Sequence, residues 1–284
     1  MADEVNDEVN EWPRASEWLA SGREGGVVVA GVPIVEHAVT PSRYDLAPSA
    51  IRARLARLST YHGERDVDLA GVPVVDRGDA LVPPALDAPL TILLGGHNAV
   101  TFHALAPELA RARWGVLTLD AHHDVRTYAP GQVGNGSPIR ALVDAGLRGS
   151  DVIQVGIHGF SNSRVHRAYC EEQGITVLGP AASARVPELL AALAARCDRI
   201  YVDVDVDVLD RAFAPGCPGA RPGGLAPRAL LDAVWAAGSH PKVAAVDIVE
   251  VDPEADVASI TVDVAALCLL TAAAGFAGRR TAAP

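Results

Sequence analysis

The chain has 284 residues, 49 % hydrophobic but only 5 % aromatic, which allows either one large α/β domain with an aliphatic core or two smaller domains. Its formal net charge of −11 argues against a general binder of nucleic acid or anionic membrane, since such binders rely on a positive surface field. The four cysteines, Cys170, Cys197, Cys217 and Cys268, form no C-x-x-C pair and read as reduced thiols in a cytoplasmic protein.

Residues 1–12 are acidic and polar and read as a loose tail, not as a signal peptide. No uninterrupted apolar run of membrane-spanning length stands out after them. Short β-rich runs at 27–29, 90–94, 115–119, 152–155, 200–206 and 243–249 then alternate with helical stretches at 49–58, 100–113, 137–145, 164–173, 187–197 and 227–237. Several of the runs are apolar throughout, as strands buried on both faces are. No Ser/Gly-rich linker divides the chain. The expectation is a single α/β domain over 13–278, with a mostly parallel sheet covered by helices on both sides and a loose end at 279–284.

The polar motifs follow the ends of these strands, where parallel α/β sheets place their ligand sites. The first is Asp120-Ala121-His122-His123-Asp124, directly after the apolar run Val116-Leu117-Thr118-Leu119. In extended chain, residues two apart face one side, so Asp120, His122 and Asp124 can converge. Such a group repels itself unless a cation sits within it. The second is Asp203-Val204-Asp205-Val206-Asp207-Val208-Leu209-Asp210, again with carboxylates on alternate positions. It lacks the glycine and terminal glutamate of an EF-hand loop. With His122 included, the oxygen and nitrogen donors suit manganese, zinc, iron, cobalt or nickel better than calcium.

Together the two clusters resemble the D-A-H-x-D and D-x-D-x-x-D motifs of the ureohydrolase family, which comprises arginase, agmatinase and formimidoylglutamase. Four further segments agree in order: Arg43 to Arg52 with Pro48 and Ile51-Arg52, Leu94-Gly95-Gly96-His97-Asn98, Ala214-Pro215-Gly216 with Pro222-Gly223-Gly224-Leu225, and Asp247-Ile248-Val249-Glu250-Val251-Asp252-Pro253. The resemblance implies a three-layer α/β/α arginase-like fold and two manganese ions per subunit. It implies that Asp120 and Asp205 bridge both ions, that Asp124 holds one, and that His122 and Asp207 hold the other. A hydroxide shared by the ions would attack an amidine carbon, with Asp124 shuttling its proton and Glu250 holding the substrate's cationic nitrogen. Trimers or hexamers are also implied.

Four positions depart from the family pattern. Asn98 stands where the family has a ligand histidine, and His97 where it has aspartate, so the sixth ligand is Asn98, or His97 if the turn shifts by one. Asn135 replaces a histidine near the substrate; it can hydrogen-bond but not titrate. Asp203 replaces a serine. Arg126, two residues after Asp124, resembles the arginine of formimidoylglutamases and would clamp a substrate carboxylate, with Arg140 as a second candidate. The leading expectation is therefore hydrolysis of N-formimidoyl-L-glutamate to L-glutamate and formamide, a step of histidine degradation. The alternatives are another guanidino-acid amidinohydrolase of agmatinase or arginase type, or a metal-poor relative that binds without catalysis.

Overall fold

The computed structural model describes residues 11–281, so most of the expected N-terminal tail lies outside the described residues. Helix α1 (Ala15–Leu19), strand β1 (Val27–Val32) and helix α2 (Ala47–Arg54) come first. A two-stranded ribbon, β2 (Tyr61–His62) and β3 (Val67–Asp68), precedes β4 (Val74–Asp79). Strand and helix then alternate: β5 (Leu90–Gly95), α3 (Ala99–Leu105), β6 (Trp114–Leu119), α4 (Pro138–Asp144), β7 (Val152–Val155), α5 (Arg164–Gln173), β8 (Thr176–Leu178) and α6 (Val186–Ala194). The chain closes with β9 (Arg199–Asp205), α7 (Pro227–Ser239), β10 (Val243–Val249) and α8 (Ile260–Thr281).

Eight strands form one sheet in the order β4-β1-β5-β10-β9-β6-β7-β8, and every pairing in it is parallel. Helices α2, α6, α7 and α8 pack one face, while α3, α4 and α5 pack the other. The four central strands, β5, β10, β9 and β6, are buried along almost their whole length, which is why they read as continuous apolar runs. Their carboxyl ends open on one edge, and the polar motifs begin there.

Several elements lie outside the sequence reading. Edge strand β4 turns Arg77, Gly78 and Asp79 to solvent, and edge strand β8 is three residues long, so neither shows an apolar run. The helix expected over 100–113 stops at Leu105, where Pro107 sets a 3₁₀ turn at Ala106–Glu108. Helix α8 corrects two expectations. Its span Ile260–Arg279, of mean hydropathy 2.0, is long and apolar enough to cross a membrane, yet 78 % of its most apolar window is buried inside the protein, as in a core helix. It also runs past the expected loose end at 279: Arg279 Nε donates to the Gly238 carbonyl at 2.6 Å and Nη2 to that of Val243 at 3.0 Å.

Candidate metal centre

Four central strands each deliver one part of the centre. Strand β6 ends at Leu119 and runs into Asp120, and Asp205 is the last residue of β9. Glu250 follows β10, and Asn98 follows the turn after β5. That turn is tight: a Cβ on Gly96 would meet the Ile34 carbonyl oxygen at 2.2 Å, so only glycine fits.

Two triads of donor atoms form. Asp120, Asp124 and Asp205 make one, and Asp120, His122 and Asp207 the other; within each, the donor atoms lie within 4.8 Å of one another. Asp120 is common to both. Backbone amides orient the carboxylates: His122 N donates to Asp120 Oδ1 at 2.6 Å, Asp207 N to Asp205 Oδ1 at 2.8 Å, and Ala121 N to Asp207 Oδ1 at 2.9 Å. His122 Nδ1 lies 2.6 Å from Asp207 Oδ2. Gly219 keeps this corner open, since a Cβ there would stand 2.4 Å from Asp207 Oδ2.

Burial, then Asp124, push the Asp120 carboxyl well above its ordinary range. Burial, then Asp207, do the same to Asp205. Asp124 is pushed up by burial to about 8, with His122 opposing the rise. Burial disfavours a charged His122, but Asp207 outweighs it and raises the imidazole to about 9. Burial likewise opposes a charged Asp207, yet His122 holds it below its ordinary value. Three buried carboxyls that converge and resist ionisation form a donor set suited to divalent cations, which offset the repulsion. The oxygen and nitrogen donors present therefore fit a pair of such ions.

The turn after β5 separates its two polar residues. His97 is buried but faces away from the cluster: Nε2 lies 2.7 Å from the Glu36 carbonyl, and Ala99 N donates to Nδ1 at 3.2 Å. The Asn98 side chain instead faces the carboxylates, with Nδ2 2.8 Å from Asp124 Oδ2 and 3.5 Å from Asp120 and Asp205. No shift of the turn by one residue is present. His123 also points elsewhere, its Nδ1 2.7 Å from Gln154 Oε1. Asp203 lies outside both triads and is buried beside its cross-strand neighbour Asp247; burial, then Asp247, push its carboxyl well up.

Above the carboxylates is a cavity of about 450 Å³. Its lining includes His122, Asp124, Asp205, Asp207 and Glu250, and also Arg126 and Asn135. Burial raises Glu250 to about 7, against hydrogen bonds from Asn98 N, Asn135 and Tyr44. Asn135 Oδ1 accepts from Val39 N at 2.8 Å. Arg126 is exposed, and its guanidinium has no carboxylate partner among the described residues. Arg140 is not in this lining; it donates to the Val125 carbonyl and stacks over Tyr169.

Over residues 25–275 the chain matches the model of the arginase family. The chain belongs to the arginase family. Within the family it is 36 % identical to the formimidoylglutamase of Halalkalibacterium halodurans over 275 residues, 87 % of this chain and 86 % of that one. The crystal structure of formimidoylglutamase from Bacillus subtilis superposes with a TM-score of 0.86 at 29 % identity, covering 97 % of this chain and 95 % of that one. The formiminoglutamase of Trypanosoma cruzi, crystallised with Mn2+, has the same fold: TM-score 0.83, 23 % identity, 95 % and 100 % coverage.

Arginase-family motifs located the carboxylates but not every lining residue. Tyr44, buried beside Glu250, falls inside the Arg43 to Arg52 segment, where only Pro48, Ile51 and Arg52 matched. Arg52 itself is structural, pairing with Asp76 through Nε at 2.7 Å and Nη2 at 2.8 Å. Arg221 and His166 also line the cavity. Arg221 sits between two matched glycine-proline stretches, a detectable signal, whereas nothing around His166 on α5 distinguishes it from a surface histidine.

Proposed function

We propose that the chain hydrolyses N-formimidoyl-L-glutamate to L-glutamate and formamide. The observation that carries this reading is the polarity of the cavity. Its floor is acidic, with Asp124, Asp205, Asp207 and Glu250, and its lining holds two exposed arginines, Arg126 and Arg221, neither in an ion pair among the described residues, Arg221 donating to the Pro218 and Ala220 carbonyls. A molecule with a cationic amidine at one end and carboxylates at the other is complementary to that gradient. Agmatine, cationic at both ends, meets like charge at Arg126.

Asp120, His122, Asp124, Asp205 and Asp207 would hold two manganese ions, with Asp120 the member common to both donor triads and the Asn98 amide as sixth donor. Bound there, such a pair supplies Lewis acidity and water that ionises near neutral pH. The rest belongs to the protein's own side chains. Glu250 sits across from the triads with its Oε1 fixed by Asn98 N at 2.8 Å, placed to accept the substrate's cationic N–H groups. Asn135 and Tyr44 hold that carboxylate in position. Asp124, which lines the cavity, would hold or pass a proton at its carboxylate. Arg126 clamps a substrate carboxylate, which fixes the amidine over Asp124.

The free, buried state of all four cysteines fits a reducing cytoplasm. A homo-oligomer, trimer or hexamer, is the assembly to look for by sedimentation. The deciding experiment assays the manganese-loaded protein against N-formimidoyl-L-glutamate, arginine, agmatine and guanidinobutyrate. Turnover highest with N-formimidoyl-L-glutamate supports the reading. A preference for agmatine overturns it, and full metal content with no turnover of any of the four points to a non-catalytic relative.

A further inference from the structure

The Asn98 amide is buried between two sets of partners. Its Nδ2 faces the carboxylates, 2.8 Å from Asp124 Oδ2. Its Oδ1 lies 2.9 Å from Thr101 Oγ1, on the next position of the same helical face. Thr101 Oγ1 also lies 2.7 Å from Asp247 Oδ2. Asp247 is anchored in turn, by Tyr201 Oη at 2.7 Å and Val204 N at 3.2 Å.

A hydroxyl carries one hydrogen, and a carboxylate carries none. With the amide in this orientation, Asn98 Oδ1 and Asp247 Oδ2 compete for the single Thr101 hydrogen. Half a turn of the amide removes the conflict. Asn98 Nδ2 then donates to Thr101 Oγ1, and Thr101 donates to Asp247. The same turn places the amide oxygen against Asp124, 2.8 Å from a carboxylate oxygen by the present spacing. Two oxygens at that distance in a buried site need a proton on Asp124 or, once that carboxyl ionises, a cation that both can face. Ion binding and the turned amide therefore favour each other.

We propose that Thr101 is a positioning residue that presents the Asn98 amide oxygen, rather than its nitrogen, to the cation. This rests on the metal centre of the preceding section. An imidazole in place of Asn98 would offer a nitrogen donor from either edge. An amide has one ligating end and one repelling end, so this chain requires a partner that selects between them. Outer partners of this kind orient ligands and tune affinity about 10- to 100-fold.

The test is a manganese titration of the metal-stripped, full-length protein, with free Mn2+ followed by its electron paramagnetic resonance signal. It compares the parent, Thr101→Val and Thr101→Ser, and repeats Thr101→Val on an Asn98→Ala background. Thr101→Val is expected to weaken binding about tenfold, Thr101→Ser to keep the parent affinity, and Thr101→Val to have no further effect once Asn98 is alanine. Parent affinity in Thr101→Val overturns the proposal, and so does an equal loss on the Asn98→Ala background, which marks general loosening of the core. The crystal structure of the manganese-loaded parent tests the same point without any variant. An amide nitrogen facing the ion, or an Asn98 that does not reach Thr101, overturns the proposal while leaving the metal centre standing. A parent that takes up no manganese refutes the centre and the proposal together.

Discussion

Arg126→Ala separates the proposed substrate from its competitors. The side chain packs on Gly136, where an added Cβ would stand 2.6 Å from Arg126 Cδ, and its backbone N donates to the Gly136 carbonyl at 2.8 Å. Its guanidinium lies exposed on the cavity wall and makes no ion pair among the described residues. It is therefore available to a ligand, and its loss leaves no buried acid stranded. A hydrogen bond to a charged group contributes about 1.5–3 kcal/mol. Solvent screening of an exposed group places Arg126 near the lower figure. At about 1.4 kcal/mol per factor of ten, kcat/KM for N-formimidoyl-L-glutamate should fall about tenfold. Manganese content should stay at the parent level, and hydrolysis of a simple amidine without carboxylates should change less than twofold or so by the same arithmetic. Arg126→Lys should recover only part of the loss, because an ammonium cannot make the planar two-point contact. Steady-state kinetics on the two substrates, with metal analysis of each variant, provide the measurement. Equal losses on both substrates, or none on either, refute the carboxylate clamp.

Asp120→Ala should remove most bound manganese and all turnover, because Asp120 belongs to both donor triads; an alanine variant with full metal content would exclude the shared-ligand assignment. Asn98→His should tighten manganese binding, because an imidazole donor replaces an amide that faces Asp124 at 2.8 Å; titration of metal-stripped protein measures it, and unchanged or weaker binding contradicts it. The metal-stripped chain should lose thermal stability as pH rises through neutrality. Asp124, with an ordinary value of 3.8, is pushed by burial to about 8, so above 3.8 the folded chain keeps a proton that the unfolded chain releases, and this contribution to stability is full only below 3.8 and lost as pH rises through about 8. His122, raised from 6.5 to about 9, acts with the same sign, its contribution disappearing as pH rises through that range. Tm should therefore fall between about pH 4 and 9 for stripped protein and much less for manganese-loaded protein; a flat or rising Tm for the stripped chain is the contrary result.

The central strands and the carboxylate motifs were legible because one cause produces both. A strand buried on two faces is apolar along its length, so the first carboxylate after Leu119 or within Asp203-Val204-Asp205 marks where the sheet ends and the site begins. Edge strands escape that logic. Solvent on one side of β4 admits Asp76, Arg77 and Asp79, and nothing in their pattern distinguishes a strand from a loop. Helix α8 escapes it for the opposite reason. Buried nearly all round, it lacks the 3.6-residue alternation by which helices are recognised. The ligand question at His97 and Asn98 was not answerable from spacing. It depends on the turn geometry at Gly96, which aims the histidine at the Glu36 carbonyl and the amide at the carboxylates. Arg140 was misplaced by the same kind of gap, since position two residues beyond Pro138 does not reveal that its guanidinium stacks over Tyr169.

Backbone strain at the centre has its own logic. Asp124 and Glu250 have φ of 51° and 68°, the left-handed region that residues other than glycine seldom occupy. Such a conformation costs of order 1–3 kcal/mol, so surrounding contacts must hold it. They do so at both positions. The Asp124 carbonyl accepts from Ile139 N at 3.2 Å and Arg140 N at 3.3 Å, in the first turn of α4, and Glu250 N donates to the Gly96 carbonyl at 3.1 Å. Relaxing either residue to an ordinary extended conformation would redirect the backbone that makes those bonds. The strain is thus the means by which two side chains from loops are turned back over the sheet edge. Strained backbone and unneutralised carboxylates weigh on the same few residues, and the apolar strands beneath them carry both. A cation bound by Asp124 relieves the electrostatic part while leaving the backbone as it is. That is why metal affinity, rather than the fold, should respond most strongly to changes at Asn98 and Thr101.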